Sequence, residues 1–396
     1  MKIVKQIISE VKENGDEAVR KYTGIFDKIR PENFEVSRLE IKSAYKEVDQ
    51  DFIETIRKAA INIELFARKQ MRQFENFEYR KNGVTLGQKI IPIENIGVYV
   101  PGGNYPLIST ALMCIIPAKI AGVKNIVVCS PRIKPETIVA ADFAGADRIF
   151  NIGGAQAIAA LAYGTETIPK VDKIVGPGNI YVTSAKKEVY GKVGIDFLAG
   201  PSEVLIIADE YANPKIIAAD LLAQAEHDVN SKLILITNSE KIIRDTEREL
   251  KIQLKKLKTK DIAAEALKNK RMIKVKSLRK ALELSNEIAP EHVELQIKNP
   301  RKYLNRLKNY GSLFLGEYSD VAFGDYSSGT NHVLPTGSAA KYTGGLSVND
   351  FIKIQTYQYI NKEGAKDLGK ITAKFASLEG LDAHRKSVEI RLKEGD

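Results

Sequence analysis

Each of the four histidines in this 396-residue chain has an acidic or amide side chain close by in sequence. The pairs are Gln224 and His227, Glu291 and His292, Asp325 and His332, and Glu379 and His384. An imidazole beside a carboxylate or carboxamide oxygen suits Zn²⁺ coordination, and it also suits proton transfer. No cysteine accompanies these pairs, which argues against a closed structural zinc site and favours a catalytic one.

Taken singly, each pair also has an ordinary structural interpretation. His227 lies three residues after Gln224 on one face of a helix, where a histidine often caps the helix end. Glu291 and His292 follow Pro290 at a turn or a helix start, from which they can reach two atoms of one substrate or simply face solvent. The third pair lies in a loop that Asp, Ser and Thr side chains could close as a turn. Because all four pairs occur in one chain, a metal-binding or catalytic role explains them better than four separate structural roles.

Three glycine-rich stretches follow apolar strands and precede helices: YVPGGNYP, NIGGAQAI and GPGNIYVT. Backbone N–H groups at such helix starts can face a phosphate. Neither a P-loop nor a G-x-G-x-x-G after a first strand is present. Three such stretches at the carboxyl edge of one parallel sheet predict a nucleotide-like ligand.

The elements that position these residues alternate between short apolar strands and helices, which is typical of parallel α/β sheets. One series of strands starts near residue 88, and a second starts after LAGPSE. We therefore predict an α/β fold with two doubly wound, Rossmann-like parallel-sheet domains, an N-terminal helical segment and a C-terminal helical tail. The expected boundaries are residues 1–20 for the N-terminal helix, 21–99 with 203–340 for the first α/β domain, 100–202 for the second, and 341–396 for the C-terminal strand and tail.

The net charge of +10 and the pI near 9.2 raise the question of nucleic-acid binding. Much of the excess lies between Lys241 and Lys280, where Lys and Arg alternate with Glu, Ile and Leu as on solvated helix faces. No nucleic-acid motif accompanies it, so we expect no nucleic-acid partner. No apolar run is long enough for a bilayer, and the N-terminal helix lacks the features of a secretion signal. We therefore expect a cytoplasmic protein without a membrane partner.

Eight stretches form one ordered set: GVYVPGGNYPLIST, GGAQAIAALAYGT, KIVGPGNIYVTSAK, AGPSEVLIIAD, LLAQAEHD, PEHVEL, GDYSSGTNHVLPT and LEGLDAH. In this order, from about residue 20 to residue 392, the chain resembles the histidinol dehydrogenase family. The resemblance implies an oxidoreductase that converts L-histidinol through L-histidinaldehyde to L-histidine, in the last two steps of histidine biosynthesis. It also implies two NAD⁺ per reaction, one zinc ion per site and an intertwined homodimer.

The same resemblance implies residue roles. The implied zinc ligands are Gln224, His227, Asp325 and His384, and the implied acid–base pair is Glu291 and His292. The implied substrate contacts are Ser202, His332 and Glu379, with Gln224, His227, His292, Asp325 and His384. The implied NAD contacts are Tyr99, Gln156 and Asn179, which assigns NAD to the second α/β domain. Because the polar tail carries Glu379 and His384, we expect each active site to be shared between two chains.

Two other enzyme classes use similar residues. A zinc hydrolase would activate a metal-bound water with the same His, Asp and Glu side chains and would need no NAD. A cysteine-dependent aldehyde dehydrogenase would need a reactive thiol, whereas Cys114 and Cys129 lie in apolar segments typical of a protein core. Two cysteines also cannot form a disulfide framework, which fits a reducing compartment.

Overall fold

The structure is a computed structural model that describes residues 1–102 and 106–393. It contains two compact units, which are described separately. The first unit comprises Met1–Lys69 and Ile93–Phe351, and the second comprises Gln70–Pro92 and Ile352–Asp396. In the described residues, no helix is both long enough and apolar enough to cross a membrane.

The described α-helices, in chain order, are α1 (Lys2–Phe26), α2 (Arg38–Glu47), α3 (Gln50–Met71), α4 (Ile108–Ala121), α5 (Pro135–Ala144), α6 (Gly154–Tyr163), α7 (Ile180–Val189), α8 (Pro214–Ala225), α9 (Glu240–Leu254), α10 (Lys260–Ala266), α11 (Leu278–Ile288), α12 (Val321–Tyr326), α13 (Lys362–Leu378) and α14 (Asp382–Lys393). Short 3₁₀ helices cover Leu267–Asn269, Pro300–Arg306, Ala339–Lys341 and Val348–Phe351. The strands are β1 (Phe77–Lys81), β2 (Val84–Pro92), β3 (Asn95–Tyr99), β4 (Asn125–Cys129), β5 (Arg148–Phe150), β6 (Lys173–Val175), β7 (Gly194–Ile195), β8 (Glu203–Ala208), β9 (Lys232–Thr237), β10 (Arg271–Lys274), β11 (His292–Gln296), β12 (Ser312–Leu315) and β13 (Ile352–Ile360).

The first sheet of the first unit has the parallel strand order β5-β4-β3-β6-β7. This is the Rossmann order, with β3 as the first strand and the change of direction between β3 and β6. The strands are short and rich in Val and Ile, because both faces of a parallel sheet are covered by helices. At the change of direction, Gly176 has a φ of +110°, and a Cβ there would lie 2.2 Å from the carbonyl oxygen of Tyr99. Only glycine allows the ends of β3 and β6 to approach this closely.

The helices α1 and α2 pack against the first sheet and its helices, which differs from the expected grouping of residues 21–99 with 203–340, whereas Asn62 of α3 donates to the carbonyl of Ser327 at 2.7 Å, as that grouping expects. The apolar stripe of α1, including Ile7 and Val11, shares a core with Ile158 of α6. Arg148 on β5 donates to the carboxylate of Glu35 at 2.8 Å. Strand β3 pairs with β4 and β6, so residues 95–99 also belong to this sheet. The sequence of an amphipathic helix shows which face is apolar but not which element that face packs against. The packing of α1 on the first sheet could therefore not be predicted from the sequence.

The second sheet has the parallel order β10-β9-β8-β11-β12. Side chains alternate between its two faces, as the period of a strand requires. Val204 and Ile206 pack in one core with α8, whereas Leu205 and Ile207 pack in another with α11. Together the two parallel sheets and their helices confirm the predicted α/β fold class.

The second unit contains a three-stranded antiparallel sheet in the order β1-β2-β13, and the helices α13 and α14. Glu379 caps the end of α13, and Gly380, with φ +73°, turns the chain into α14. Several large apolar side chains in this unit are exposed: Phe77, Tyr79, Ile354, Tyr359, Ile371, Phe375, Leu378 and Ile390.

Candidate active site

Glu291 and His292 lie at the amino edge of the second sheet, where β11 begins. The sequence predicted either a turn or a helix start at this point. The helix start is wrong, because α11 ends at a left-handed Ala289 and the chain then enters a strand. The backbone of Glu203, which starts the neighbouring strand β8, holds both side chains. Its N–H donates to Oε2 of Glu291 at 2.8 Å, and its carbonyl lies 3.0 Å from Nδ1 of His292.

The hydrogen bond to the Glu203 carbonyl fixes the tautomer of His292. A carbonyl only accepts, so Nδ1 carries the proton and Nε2 of the neutral ring has a free lone pair. That Nε2 is buried without a hydrogen-bond partner among the described residues. Burial, together with the nearby His227 and His332, lowers the pKa of His292 to about 4. The ring is therefore neutral at neutral pH and able to accept a proton.

Glu291 is a buried carboxyl group with a strongly perturbed pKa. Burial raises its pKa well above the ordinary value, and the charges of Glu203 and Asp325 act in the same direction. The N–H of Glu203 opposes this by stabilising the carboxylate. A carboxyl group with a raised pKa is a stronger base, once ionised, than an exposed glutamate, which suits a general base.

Glu203 was not found by sequence reasoning. Its own carboxylate accepts from Lys232 at 2.6 Å and from the N–H of Gly337 at 3.2 Å, so it is paired although it is buried. The signal in the sequence was a glutamate at the first position of the apolar strand EVLIIA. Ser202, immediately before it, is half-buried, and its hydroxyl has no partner within the described chain.

Asp325 and His332 reach the same region from α12 and the loop that follows it. Oδ1 of Asp325 lies 4.0 Å from Nε2 of His292. Burial, assisted by the charge of Asp320, raises the pKa of Asp325 to about 7. His332 places Nδ1 at 2.8 Å from the backbone carbonyl of Asp325, so its Nε2 accepts from the hydroxyl of Thr110 at 3.2 Å. Thr110, which sequence reasoning missed, lies in the first turn of α4 and links the first sheet to this site.

Gln224 lies in the last turn of α8, whereas His227 lies in the turn that follows, because the helix ends at Ala225; the prediction that both lie on one helix face is therefore wrong for His227. Within residues 1–102 and 106–393, neither of these side chains nor the carboxylate of Asp325 forms a hydrogen bond with another residue. Burial by surrounding protein lowers the pKa of His227, although the side chain keeps an exposed surface. The unpaired side chains of Gln224, His227 and Asp325 supply the N and O atoms that a cation such as Zn²⁺ prefers as ligands.

A second polar cluster, which also includes a residue of α8, was not predicted. Asp220, Glu294 and Asp320 each place an oxygen within 4.8 Å of the others. Gln296 donates to Glu294 at 3.1 Å, and burial raises the pKa of Asp220 to about 6. The signal was periodic: Asp220 lies one helical turn before Gln224, and Glu294 lies two strand residues after His292.

The predicted NAD contacts lie at the carboxyl edge of the first sheet. The N–H of Gly154 donates to the Tyr99 hydroxyl at 3.1 Å. Gln156 is fully buried, yet neither its amide nitrogen nor its oxygen has a partner in the described part of the chain. Asn179 caps α7 by accepting from two backbone N–H groups. Of the stretch YVPGGNYP, residues 103–105 lie outside the described residues.

The remaining predicted residues, Glu379 and His384, belong to the second unit. Both are exposed, on either side of the turn between α13 and α14. Neither side chain has a hydrogen bond or ion pair with another described residue. Their roles as substrate contact and zinc ligand stay predictions.

Cys114 and Cys129 are fully buried in the core of the first unit. Burial raises the pKa of both thiols far above the ordinary value. A thiol that stays protonated is a poor nucleophile, so these residues disfavour cysteine-based catalysis.

Two doubly wound parallel sheets that carry a buried histidine and carboxyl pair define the chain as an α/β enzyme. The chain belongs to the histidinol dehydrogenase family, whose model matches residues 1–392. The family prediction made from the sequence stretches is therefore confirmed.

Individual relatives agree with this assignment. Histidinol dehydrogenase of Methanocaldococcus jannaschii is 49% identical over 395 residues, covering 98% of this chain and 92% of that one. That of Clostridium acetobutylicum is 48% identical over 399 residues, covering 99% and 92%. The crystal structure of histidinol dehydrogenase from Elizabethkingia anophelis superposes with a TM-score of 0.95 at 44% identity, covering 99% and 92%. A 3,6-anhydro-L-galactose dehydrogenase shares the fold alone, with a TM-score of 0.51 at 14% identity, covering 91% and 86%.

Proposed function

We propose that this protein oxidises L-histidinol to L-histidinaldehyde and then to L-histidine, with NAD as the hydride acceptor and one zinc ion in each site. The observation that supports this most is the family match over residues 1–392. The buried pair at the start of β11 adds support, because two successive oxidations need a base for the alcohol and an activated water for the aldehyde.

His292 is the base in the proposed reaction. Its Nε2 has a free lone pair, and the hydrogen bond from Nδ1 to Glu203 stabilises the imidazolium that forms when Nε2 accepts a proton. In the first step Nε2 takes the hydroxyl proton of the alcohol as a hydride leaves the carbinol carbon. Nε2 of His292 must release that proton before the second oxidation, in which it takes a proton from the aldehyde hydrate as the second hydride leaves.

Glu291 activates the water that adds to the aldehyde. Its carboxylate is held by the N–H of Glu203, and its raised pKa makes it a stronger base than an exposed glutamate. The carboxylate accepts a proton from water while the water oxygen attacks the carbonyl carbon, and it then returns that proton to the former carbonyl oxygen to give the hydrate. The aldehyde hydrate carries the C–H hydrogen that leaves as a hydride in the second oxidation.

Gln224, His227 and Asp325 would hold the zinc ion, and His384 would complete the set. The fit rests on the missing partners of the first three side chains and on the raised pKa of Asp325, which a bound cation would lower. When bound, zinc supplies a fixed charge that orients the imidazole and amine of the substrate.

Tyr99, Gln156 and Asn179 would bind NAD at the carboxyl edge of the first sheet. This edge is the ligand site in open α/β sheets, and the orphaned amide of Gln156 fits a polar group supplied by a ligand. When bound, NAD accepts the hydride in each oxidation. Thr110 and His332 join this edge to the acid–base pair.

The active form is proposed to be a homodimer with shared sites. Support comes from the second unit, which exposes several large apolar side chains and carries the unpaired Glu379 and His384. An exposed apolar surface of this kind is typical of an interface. Mixing His227→Ala with His384→Ala should recover roughly a quarter of the wild-type sites if ligands come from two chains. No recovery, with heterodimers confirmed by mass, would contradict sharing.

The test of the function is the stoichiometry of the reaction. L-histidinol with an excess of NAD should yield two NADH for each L-histidine formed. One NADH per substrate would limit the enzyme to the alcohol step. Turnover without NADH would favour the zinc hydrolase.

A further inference from the structure

A proline interrupts the hydrogen bonding of α4, the helix whose first turn contacts His332. Pro117 lies inside α4, several residues before the helix ends at Ala121. Proline has no N–H, so it cannot donate to the carbonyl of the residue four positions earlier, which is Met113. Met113 is fully buried, so water does not replace the missing donor. The proline therefore leaves a buried acceptor that needs a donor from another element.

The side-chain amide of Asn331 is that donor. Its Nδ2 lies 2.7 Å from the carbonyl oxygen of Met113. Its Oδ1 accepts the backbone N–H of Val333 at 2.9 Å. A carbonyl only accepts and an N–H only donates, so these two partners fix which end of the amide faces α4. The amide therefore joins α4 to the loop that carries His332.

Two consecutive residues of this loop are attached to one side of α4. Thr110, Met113 and Pro117 are spaced by three and four residues, so they lie on the same side of the helix. The Thr110 hydroxyl lies 3.2 Å from Nε2 of His332, and the Met113 carbonyl binds the amide of the preceding residue. The Asn331 bond thus sets how far the loop backbone stands from α4, and that distance determines whether the imidazole reaches Thr110.

We propose that Asn331 is a positioning residue for His332, docked on the carbonyl that Pro117 leaves free in α4. The inference rests on the proposed function, in which His332 contacts the substrate. Without the Asn331 bond the loop can move away from α4, and the imidazole moves with it. Misplacing a group that contacts substrate by about 1 Å can cost up to about 10²-fold in rate.

Kinetics of the zinc-loaded, full-length protein give the first measurement. Asn331→Ala should lower kcat/KM for L-histidinol about tenfold, the size of one net hydrogen bond, and should act mainly through KM. It should also lower the unfolding temperature, because the Met113 carbonyl loses its donor. The matched control is Asn305→Ala, since Asn305 is exposed and its side chain forms no hydrogen bond with another described residue. A wild-type kcat/KM in Asn331→Ala would overturn the proposal.

A double variant separates positioning from stability. When Pro117→Ala is added to Asn331→Ala, the new N–H at position 117 can donate to the Met113 carbonyl within the helix. The unfolding temperature should return to at least the wild-type value, whereas the loss in kcat/KM should persist because the loop is still detached. Recovery of both would overturn the proposal, since the amide would then serve only to pair a buried carbonyl.

The ring of His332 gives a readout that does not depend on turnover. The chain has four histidines, so spectra of protein labelled with ¹⁵N-histidine can be assigned by the signals that His332→Gln removes. Thr110→Val removes the donor to Nε2 outright and gives the reference for its loss. Asn331→Ala, alone and with Pro117→Ala, should move the Nε2 resonance of His332 toward that reference, whereas Asn305→Ala should leave it unchanged.

The spectra also separate this proposal from the proposed function, and they decide the role of Asn331 even if the second substitution does not restore stability. An Nε2 resonance that stays at its wild-type position in Asn331→Ala would overturn the positioning role. A shifted resonance, in a protein whose wild type does not oxidise L-histidinol, would support the placement of His332 by Asn331 and contradict the proposed function instead.

Discussion

Replacing Glu291 by glutamine tests the acid–base assignment most directly. The amide has nearly the same shape as the carboxylate. In the wild type the backbone nitrogen of Glu203 lies 2.8 Å from Oε2 of Glu291, and the amide oxygen of the variant can still accept this hydrogen bond. The backbone and the placement of His292 should therefore persist. The amide cannot accept a proton at neutral pH, so only the ability to activate water is removed.

The two oxidation steps should respond differently. Loss of a positioned general base typically lowers a rate by about 10²–10⁴-fold, and Glu291→Gln should slow oxidation of histidinaldehyde by that amount. The alcohol step relies on His292 and should fall by less than about tenfold. Single-turnover reactions started from L-histidinol and from L-histidinaldehyde separate the two steps.

The same substitution should stabilise the protein, and the sign follows from the pKa. The folded-state pKa of Glu291 lies above the ordinary value of 4.5 because of burial. Its contribution to stability is most favourable below pH 4.5 and is lost as the pH rises through the raised pKa, since the unfolded state ionises first. Each unit of raised pKa corresponds to about 1.4 kcal/mol. The neutral amide removes this loss, so metal-free Glu291→Gln should unfold at a higher temperature than wild type at neutral pH, and the difference should vanish below pH 4.5.

The matched control is Glu287→Gln. Glu287 is exposed on α11, and its carboxylate has no described partner, so neither rates nor unfolding temperature should change measurably. Oxidation of histidinaldehyde by Glu291→Gln at the wild-type rate would remove Glu291 from the mechanism. A lower unfolding temperature of Glu291→Gln than of the wild type at neutral pH would show that the fold stabilises the ionised carboxylate, which contradicts the raised pKa.

Three further results are expected. Prolonged chelation should abolish NADH formation and added Zn²⁺ should restore it, whereas full turnover by protein shown to be metal-free would exclude a role for zinc. Thr110→Val should leave Nε2 of His332 without a donor and reduce the free energy of unfolding in denaturant titration by about 1–3 kcal/mol, whereas Thr110→Ser should retain most of the stability. The double variant Cys114→Ser, Cys129→Ser should retain activity per folded molecule, and a complete loss with the fold intact would favour the thiol mechanism.

The periodic parts of this structure were predictable from the sequence. Strands such as VLIIAD and KLILIT are apolar runs bounded by turn residues, and parallel pairing buries both of their faces, so the fold class followed from local pattern. The helical pattern correctly placed Gln224 on α8, but the helix ends at Ala225, so the position of His227 in the following turn did not follow from the helical period.

Residues that act through long-range pairing were not predictable in the same way. Glu203 orients Glu291 and His292 with its backbone, and a backbone group leaves no signature in residue type. Thr110 meets His332 across more than two hundred residues of sequence, and a lone threonine in an apolar helix is ordinary. The grouping of α1 with the first sheet depends on tertiary packing of a stripe that would fit any apolar surface equally well.

The location of the proposed acid–base pair gives both sheets a part in the proposed reaction. Ligands of open α/β sheets bind at carboxyl edges, yet Glu291 and His292 lie at the amino edge of the second sheet. The first sheet has its carboxyl edge where β3 leads into α4, and the first turn of α4 reaches His332 through Thr110 at 3.2 Å. In the proposed reaction the coenzyme occupies the carboxyl edge of one sheet and the base stands at the amino edge of the other. Hydride and proton can then leave the same carbinol toward different domains, because the contact between Thr110 and His332 brings the two edges together.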